Sequence, residues 1–228
     1  CIRDRWDMAM DGLQMGILFN QGQVCCAGSR VFVQEGIYDR FVAAAVDAFQ
    51  KVKVGDPLDP GTQMGSQINE GQVKKILSYI ELAKQEGATI ACGGERCTEG
   101  ACAKGCFMKP TLITNVTNDM RVAQEEIFGP VITIYVYDDA KYEETLELCD
   151  RTSPYGLTGS IFARDRYAID KAFNTLRYSA GNFYINDKPT GAVIAQQPFG
   201  GSRASGTNDK AGGPLNLIRW TNPRCIKE

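Results

Sequence analysis

Residues 19–30 read FNQGQVCCAGSR. They follow a segment in which Met10, Leu13 and Ile17 recur at helical spacing from Asp7 onward, and they precede an alternating run, Arg30 to Gln34, that reads as a short strand. Between this helix and this strand, Asn20, Gln21, Gly22 and Gln23 end the apolar segment and let the backbone turn tightly. Cys25 and Cys26 come directly after the turn. A cysteine flanked by Gly22, Ala27 and Gly28 is open to a substrate and can receive backbone N–H bonds at the same time, as acyl chemistry on sulfur requires. Cys25 is the candidate nucleophile, and Cys26 reads as a small buried hydrophobe.

Working outward, the alternation continues to the C-terminal end. Ile37, Phe41, Ala45, Phe49 and Val52 mark an amphipathic helix; residues 55–65, with Pro57 and Pro60, form a loop; Val73, Ile76, Leu77 and Ile80 mark a second helix stopped by Gly87. Strands are expected at 89–92, 108–114, 131–137, 160–163 and 182–186. Helices are expected through Tyr142, Leu146 and Cys149, behind an Asp138 or Asp139 cap, and through Ile169, Ala172, Phe173 and Leu176. Strands alternating with helices predict an α/β fold with a mostly parallel open sheet and flanking helices. Residues 187–213 are glycine-rich, polar and too long for a connector, and they read as a functional loop. The expected organisation is an unassigned junction at 1–6, a thiol-bearing catalytic α/β domain at 7–213, and a C-terminal arm at 214–228. Within that arm, 224–228 could add an edge or oligomerisation strand.

With 228 residues, 43% of them hydrophobic, the chain can bury a core, and a formal net charge of -2 gives no electrostatic basis for nucleic acid or an anionic membrane as partner. No apolar run approaches a membrane span and no secretory leader pattern is present, so a soluble cytoplasmic protein is expected. Nine cysteines is an odd number in a chain too large to need a disulfide framework, and they read as reduced thiols. The absence of histidine removes imidazole catalysis and every His-containing metal site. Four thiols, Cys92, Cys97, Cys102 and Cys106, would suit zinc, but they lack the close CxxC pairs of structural sites, and no metal is assigned.

Gly22, Gln23, Cys25 and the closing Ala27, Gly28, Ser29 and Arg30 resemble the active-site cysteine motif of the aldehyde dehydrogenase superfamily, which implies Cys25 as nucleophile. A second motif, EEIFGP at 125–130, resembles the same superfamily. A carboxylate beside a tight Gly-Pro turn can accept both hydroxyls of a ribose, and an aromatic two residues on can pack against a nicotinamide ring. The resemblance gives Glu126 the first role and Phe128 the second.

Residues 181–214, GNFYINDKPTGAVIAQQPFGGSRASGTNDKAGGP, resemble the substrate loop of the subfamily that oxidises L-glutamate γ-semialdehyde, in equilibrium with 1-pyrroline-5-carboxylate, to glutamate in proline catabolism. That resemblance implies that the N–H groups of Gly191 and Ala192 hold the substrate α-carboxylate and that Phe199 walls the aldehyde pocket. Residues 8–130 look more like broad-specificity aldehyde dehydrogenases. Val24 and Cys26 stand where the glutamate-semialdehyde subfamily has a basic residue and a serine.

Taken as a whole, the resemblance implies a small-molecule aldehyde substrate, NAD as cofactor with NADP left open, and a homo-oligomeric full-length enzyme, in the mitochondrial matrix if eukaryotic. It places the general base, the amide donor and the cofactor-binding domain upstream of this chain, which is then expected to be inactive alone. A general aldehyde dehydrogenase and a cysteine-rich metal-binding or structural module are the alternatives.

Overall fold

The computed structural model describes residues 6–228. The expected junction therefore lies outside the described residues except for Trp6, which opens helix α1 (Trp6–Leu18). β1 (Arg30–Gln34) and α2 (Tyr38–Gln50) follow, then α3 (Glu70–Gln85), β2 (Thr89–Cys92), β3 (Thr111–Thr114), α4 (Arg121–Gln124) and β4 (Val131–Tyr137). The four strands form one sheet in the order β1-β4-β3-β2. β4 is parallel to both neighbours, with Val33 opposite Val136 and Ile113 opposite Thr133. β2 runs antiparallel to β3 because residues 93–110 contain one 3-10 turn and no crossover helix long enough to return the chain for parallel pairing.

Alternate residues of these strands point to opposite faces, and each face has its own helices. Val33, Leu112, Ile132 and Ile134 pack with Ile17 of α1 and with Phe41, Ala45 and Phe49, the i, i+4, i+8 stripe of α2. On the other face Ile113 and Val131 pack with Val73, Ile76 and Ile80 of α3. Burying one side chain of this size contributes about 1.5–3 kcal/mol, so the two layers fix the sheet, and with it the turns at its edge.

The remaining elements are α5 (Tyr142–Arg151), β5 (Tyr155–Gly156), β6 (Thr158–Ile161), α6 (Arg166–Thr175), β7 (Asn182–Ile185), β8 (Ser202–Arg203) and α7 (Pro214–Leu217). β6 and β7 pair in parallel, β5 and β8 antiparallel. The Asp138 carboxylate caps the 3-10 turn Asp139–Lys141 by accepting from the Ala140 N–H at 2.9 Å, whereas α5 itself starts behind Lys141 without the Asp138 or Asp139 side-chain cap expected for it.

Several boundaries differ from expectation. The strand expected from 108 begins at Thr111, since Pro110 has no N–H for the ladder and Met108 makes only an isolated bridge with Arg96. The strand expected at 160–163 runs from Thr158 to Ile161. There the Asn186 side chain takes over both backbone groups of Ala163, at 2.9 Å each, and ends the β6–β7 ladder. Residues 224–228, read as an edge strand, form none in this single chain and are exposed.

Candidate active site

The turn after α1 has three consecutive residues in the left-handed region, Asn20 (φ 48), Gln21 (φ 57) and Gly22 (φ 72). For the two non-glycine residues this is an unfavourable geometry, held here by bonds from several directions. The Gln23 N–H donates to Asn20 O at 3.0 Å, the Asn20 amide to Gln23 O at 3.1 Å, and the Gln67 amide to Gln21 O at 3.4 Å. The Gln23 side-chain oxygen accepts from the Ile68 N–H at 3.1 Å. Gly22 is buried, and a Cβ there would lie 2.1 Å from the carbonyl oxygen of Gly129. Only glycine fits, so the cysteine turn sits directly on the Glu125–Pro130 turn.

Beyond it, the Gly28 N–H donates to Gly16 O at 2.8 Å, tying the chain back to α1. Cys25 is exposed and Cys26 buried. Burial, followed by the neighbouring Cys26 thiol, pushes the Cys25 thiol above its usual 9.0, while the N–H groups of Cys25 and Cys26 pull the other way. A tight turn rich in amides suggests a stabilised thiolate. The amides do act in that sense, but desolvation outweighs them, so the group is a thiol at neutral pH and needs a proton acceptor to become a nucleophile.

The two glutamates of EEIFGP have separate environments. The Arg121 guanidinium grips Glu125 with two bonds of 2.8 and 2.9 Å, and the Tyr79 hydroxyl donates to it at 2.7 Å. These partners hold the Glu125 carboxyl down at about 2. The Glu126 carboxylate is exposed, has no hydrogen-bond partner among the described residues, and acts electrostatically on Cys25. Its backbone is fixed instead: Lys75 Nζ donates to Glu126 O at 3.0 Å, and the Gln72 amide donates to Ile127 O at 3.2 Å and to Phe128 O at 2.6 Å. Phe128 is half-buried with φ 62.

The 187–199 loop reaches the cysteine turn through Thr190. Its hydroxyl lies 3.0 Å from the Cys26 sulfur, in hydrogen-bond contact. Pro189 packs so closely on Gly28 that a Cβ there would stand 2.9 Å from its ring. Next along the chain, Gly191 (φ 79) and Ala192 carry N–H groups that make no hydrogen bond among the described residues. Phe199, half-buried, is set at the far end of the loop, its N–H and C=O paired with Ala211 at 2.8 and 2.7 Å. Cys25, Glu126, Gly191 and Ala192 are thus gathered through the Gly22–Gly129 and Cys26–Thr190 contacts, whereas Phe199 joins them through the loop.

Thr190, Gln72 and Gln67 support the site without having been read from the sequence. Thr190 had a usable signal, a small hydroxyl next to the candidate Gly191. The glutamines act from more than 40 residues away and had none. The cysteine-rich stretch 92–106 does not gather into one cluster: Cys92 is buried in the core, Cys102 points its thiol at Val54 O (3.6 Å) with Cys97 beside it, and Cys106 faces Glu70 (3.5 Å). Among the described residues no three metal-binding side chains converge, and no helix is long and apolar enough to cross a membrane.

An accessible thiol on a turn that touches both the turn bearing a free carboxylate and the loop bearing two open amides suits covalent chemistry on an electrophilic carbonyl, and places the domain in the class of thiol-bearing α/β proteins. A family model described as the aldehyde dehydrogenase family matches residues 3–226. The chain belongs to that family. It is 50% identical over 209 residues to the mitochondrial delta-1-pyrroline-5-carboxylate dehydrogenase of Dictyostelium discoideum, covering 91% of this chain and 37% of that protein. To the mouse protein of the same name it is 44% identical over 208 residues, 91% of this chain and 36% of that one. Among solved structures, a betaine aldehyde dehydrogenase from Staphylococcus aureus in complex with NAD+ superposes with a TM-score of 0.87 at 37% identity, covering 97% of this chain and 44% of that one. A 1-pyrroline-5-carboxylate dehydrogenase from Thermus with bound NAD gives 0.84 at 37% identity, covering 94% and 39%. The chain spans little more than a third of the length of the curated relatives it matches.

Proposed function

We propose that residues 7–213 are the catalytic part of an NAD(P)-dependent enzyme that oxidises L-glutamate γ-semialdehyde to glutamate through a thioester on Cys25. One observation carries this reading. The exposed Cys25 turn is locked on one side to the turn bearing Glu126 and Phe128, by the Gly22–Gly129 contact, and on the other to the loop bearing Gly191 and Ala192, by the Cys26–Thr190 contact. Nucleophile, cofactor side and substrate side are therefore held in one fixed arrangement, which is the condition for an accelerated covalent step.

The thiol, protonated at neutral pH like any ordinary cysteine and made less acidic by burial, must first lose its proton to an acceptor. The sulfur then adds to the aldehyde carbon, with the Cys26 N–H near the charge that develops. The free carboxylate of Glu126 fits the two hydroxyls of a nicotinamide ribose, and the half-buried Phe128 ring would flank the base. When bound, NAD or NADP supplies the hydride acceptor. Loss of hydride leaves the acyl group on Cys25 as a thioester, which water cleaves to the acid. The open N–H groups of Gly191 and Ala192 orient a substrate carboxylate at the opposite end, with Phe199 as an apolar wall. Val24 and the buried, Thr190-bound Cys26 add no donor for that carboxylate, so the preference over simple aldehydes is moderate.

The names of the D. discoideum and mouse relatives support a mitochondrial location in a eukaryote. The arm at 214–228, with exposed Leu215, Leu217, Ile218 and Trp220, is taken as part of a homo-oligomer contact in the full-length enzyme. The test is kcat/KM of the full-length enzyme for glutamate γ-semialdehyde and for propanal, alone and with Cys25→Ala. Semialdehyde preferred, and both activities lost in the variant, is the expected result. Turnover that survives Cys25→Ala removes the thioester route, and a preference for propanal moves the substrate to general aldehydes.

A further inference from the structure

Residues 182–199 leave and rejoin the domain at one narrow neck. A Cβ on Gly181 would lie 2.0 Å from the carbonyl oxygen of Gly200, so the two ends of the loop touch backbone to backbone. Across this neck the Asn182 side chain accepts from the Gly200 N–H and donates to Pro198 O, both at 3.2 Å. The third group at the neck comes from a separate segment. Lys210 Nζ donates to Gly181 O, to Gly200 O at 3.2 Å and to Asn182 Oδ1 at 3.4 Å, so one ammonium bonds both ends of the loop.

No carboxylate among the described residues pairs with Lys210. The acceptors of its three bonds are two carbonyl oxygens and one amide oxygen, and burial pulls its pKa below the usual lysine range. A half-buried lysine with no counter-ion is unfavourable unless its three donors are satisfied, and here all three acceptors lie at the base of one loop. The ammonium also borders an open cavity of about 470 Å³ with Asn182, Tyr184, Asp187 and Pro198.

We infer that Lys210 is a positioning residue for the substrate loop: by clamping Gly181, Asn182 and Gly200 it holds the open N–H groups of Gly191 and Ala192 in the orientation that selects a carboxylate-bearing aldehyde. This rests on the proposed function for its consequence in catalysis, but the clamp itself can be measured without activity. Holding two amides to within a fraction of an ångström matters because a displacement of about 1 Å in a site costs on the order of 100-fold.

The experiment compares Lys210→Met and Lys210→Arg in the full-length enzyme, with hydrogen–deuterium exchange of the peptides spanning 187–199 and steady-state kinetics on glutamate γ-semialdehyde and propanal. Lys210→Met is expected to speed exchange in the loop by at least about tenfold and to raise KM for the semialdehyde by about tenfold or more, with kcat for propanal within about twofold. Lys210→Arg, which keeps charge and donors, should recover most of both effects. If circular dichroism shows that Lys210→Met does not fold, Asn182→Ala, which removes one acceptor and the side-chain bonds across the neck, must give the same selective pattern. Unchanged exchange, or equal losses on both substrates, overturns the role of Lys210. An unsubstituted enzyme with no preference for the semialdehyde defeats the substrate reading instead, and the exchange result still decides the clamp.

Discussion

Gly22→Ala tests whether the cysteine turn is seated on the EEIFGP turn as described. Two separate costs follow from the geometry. At φ 72 an alanine is in the left-handed region, which costs about 1–2 kcal/mol. Its Cβ would also stand 2.1 Å from Gly129 O, where real Cβ contacts stay beyond 3.0 Å, so the backbone must retreat by about 0.9 Å. The neighbour is main chain, not the end of a flexible side chain, and forced repacking of this kind costs about 1–3 kcal/mol. Together the loss is about 2–5 kcal/mol, a large part of the roughly 5–15 kcal/mol by which a domain is stable. Gly87→Ala is the control, since Gly87 has φ 94 with nothing within 4 Å of a Cβ; it should show only the backbone cost of about 1–2 kcal/mol. Urea unfolding followed by circular dichroism measures both, and kcat of the full-length enzyme reads the displacement, expected to lower it about 100-fold. A Gly22→Ala protein no less stable than Gly87→Ala, with kcat within about twofold of the parent, would refute the contact.

Other expectations follow from single features of the site. Gln72→Ala removes the bonds to Ile127 O and Phe128 O, so it should weaken NAD binding by calorimetry several-fold while leaving Cys25 labelling by iodoacetamide unchanged. Because burial raises the Cys25 thiol above 9.0, its alkylation rate should still climb as pH passes through that value, and a plateau near neutrality would contradict the desolvation account. Glu125 has a depressed folded pKa of about 2 against an ordinary 4.5. Its contribution to stability is complete above the higher value and disappears as pH falls through the lower one. The urea midpoint should therefore drop across that window, and Glu125→Gln should remove part of the drop. Thr190→Val deletes the contact with the Cys26 sulfur and should raise KM for the semialdehyde more than it lowers kcat for propanal, a split that equal effects on both would exclude.

How much of this was legible along the chain depended on range. β1, β2 and β4 match their expected bounds because alternation in β1 and a continuous β-branched and aromatic run in β4 are local signals, and α1 to α3 follow from equally local stripes. The turn that exposes Cys25 was also local, written in Asn20 to Gln23, and so was the glycine at 191. The protonation of Cys25 was not, because it is the balance of burial against two amides, and burial is a property of the packed fold. Nor did the EE pair reveal which carboxylate is anchored and which is free, since Arg121 and Tyr79 choose Glu125 from α4 and α3. The early end of β6 was decided by an Asn186 side chain more than 20 residues away. Lys210, inside the stretch 187–213 read as a functional loop, carried no signal of its own, and its role depends on the fold bringing Gly181 and Gly200 together around it. Sequence periodicity determines which residues can share a face; only tertiary contact decides which polar groups lose water and which partners replace it, and those choices set the chemistry of the site.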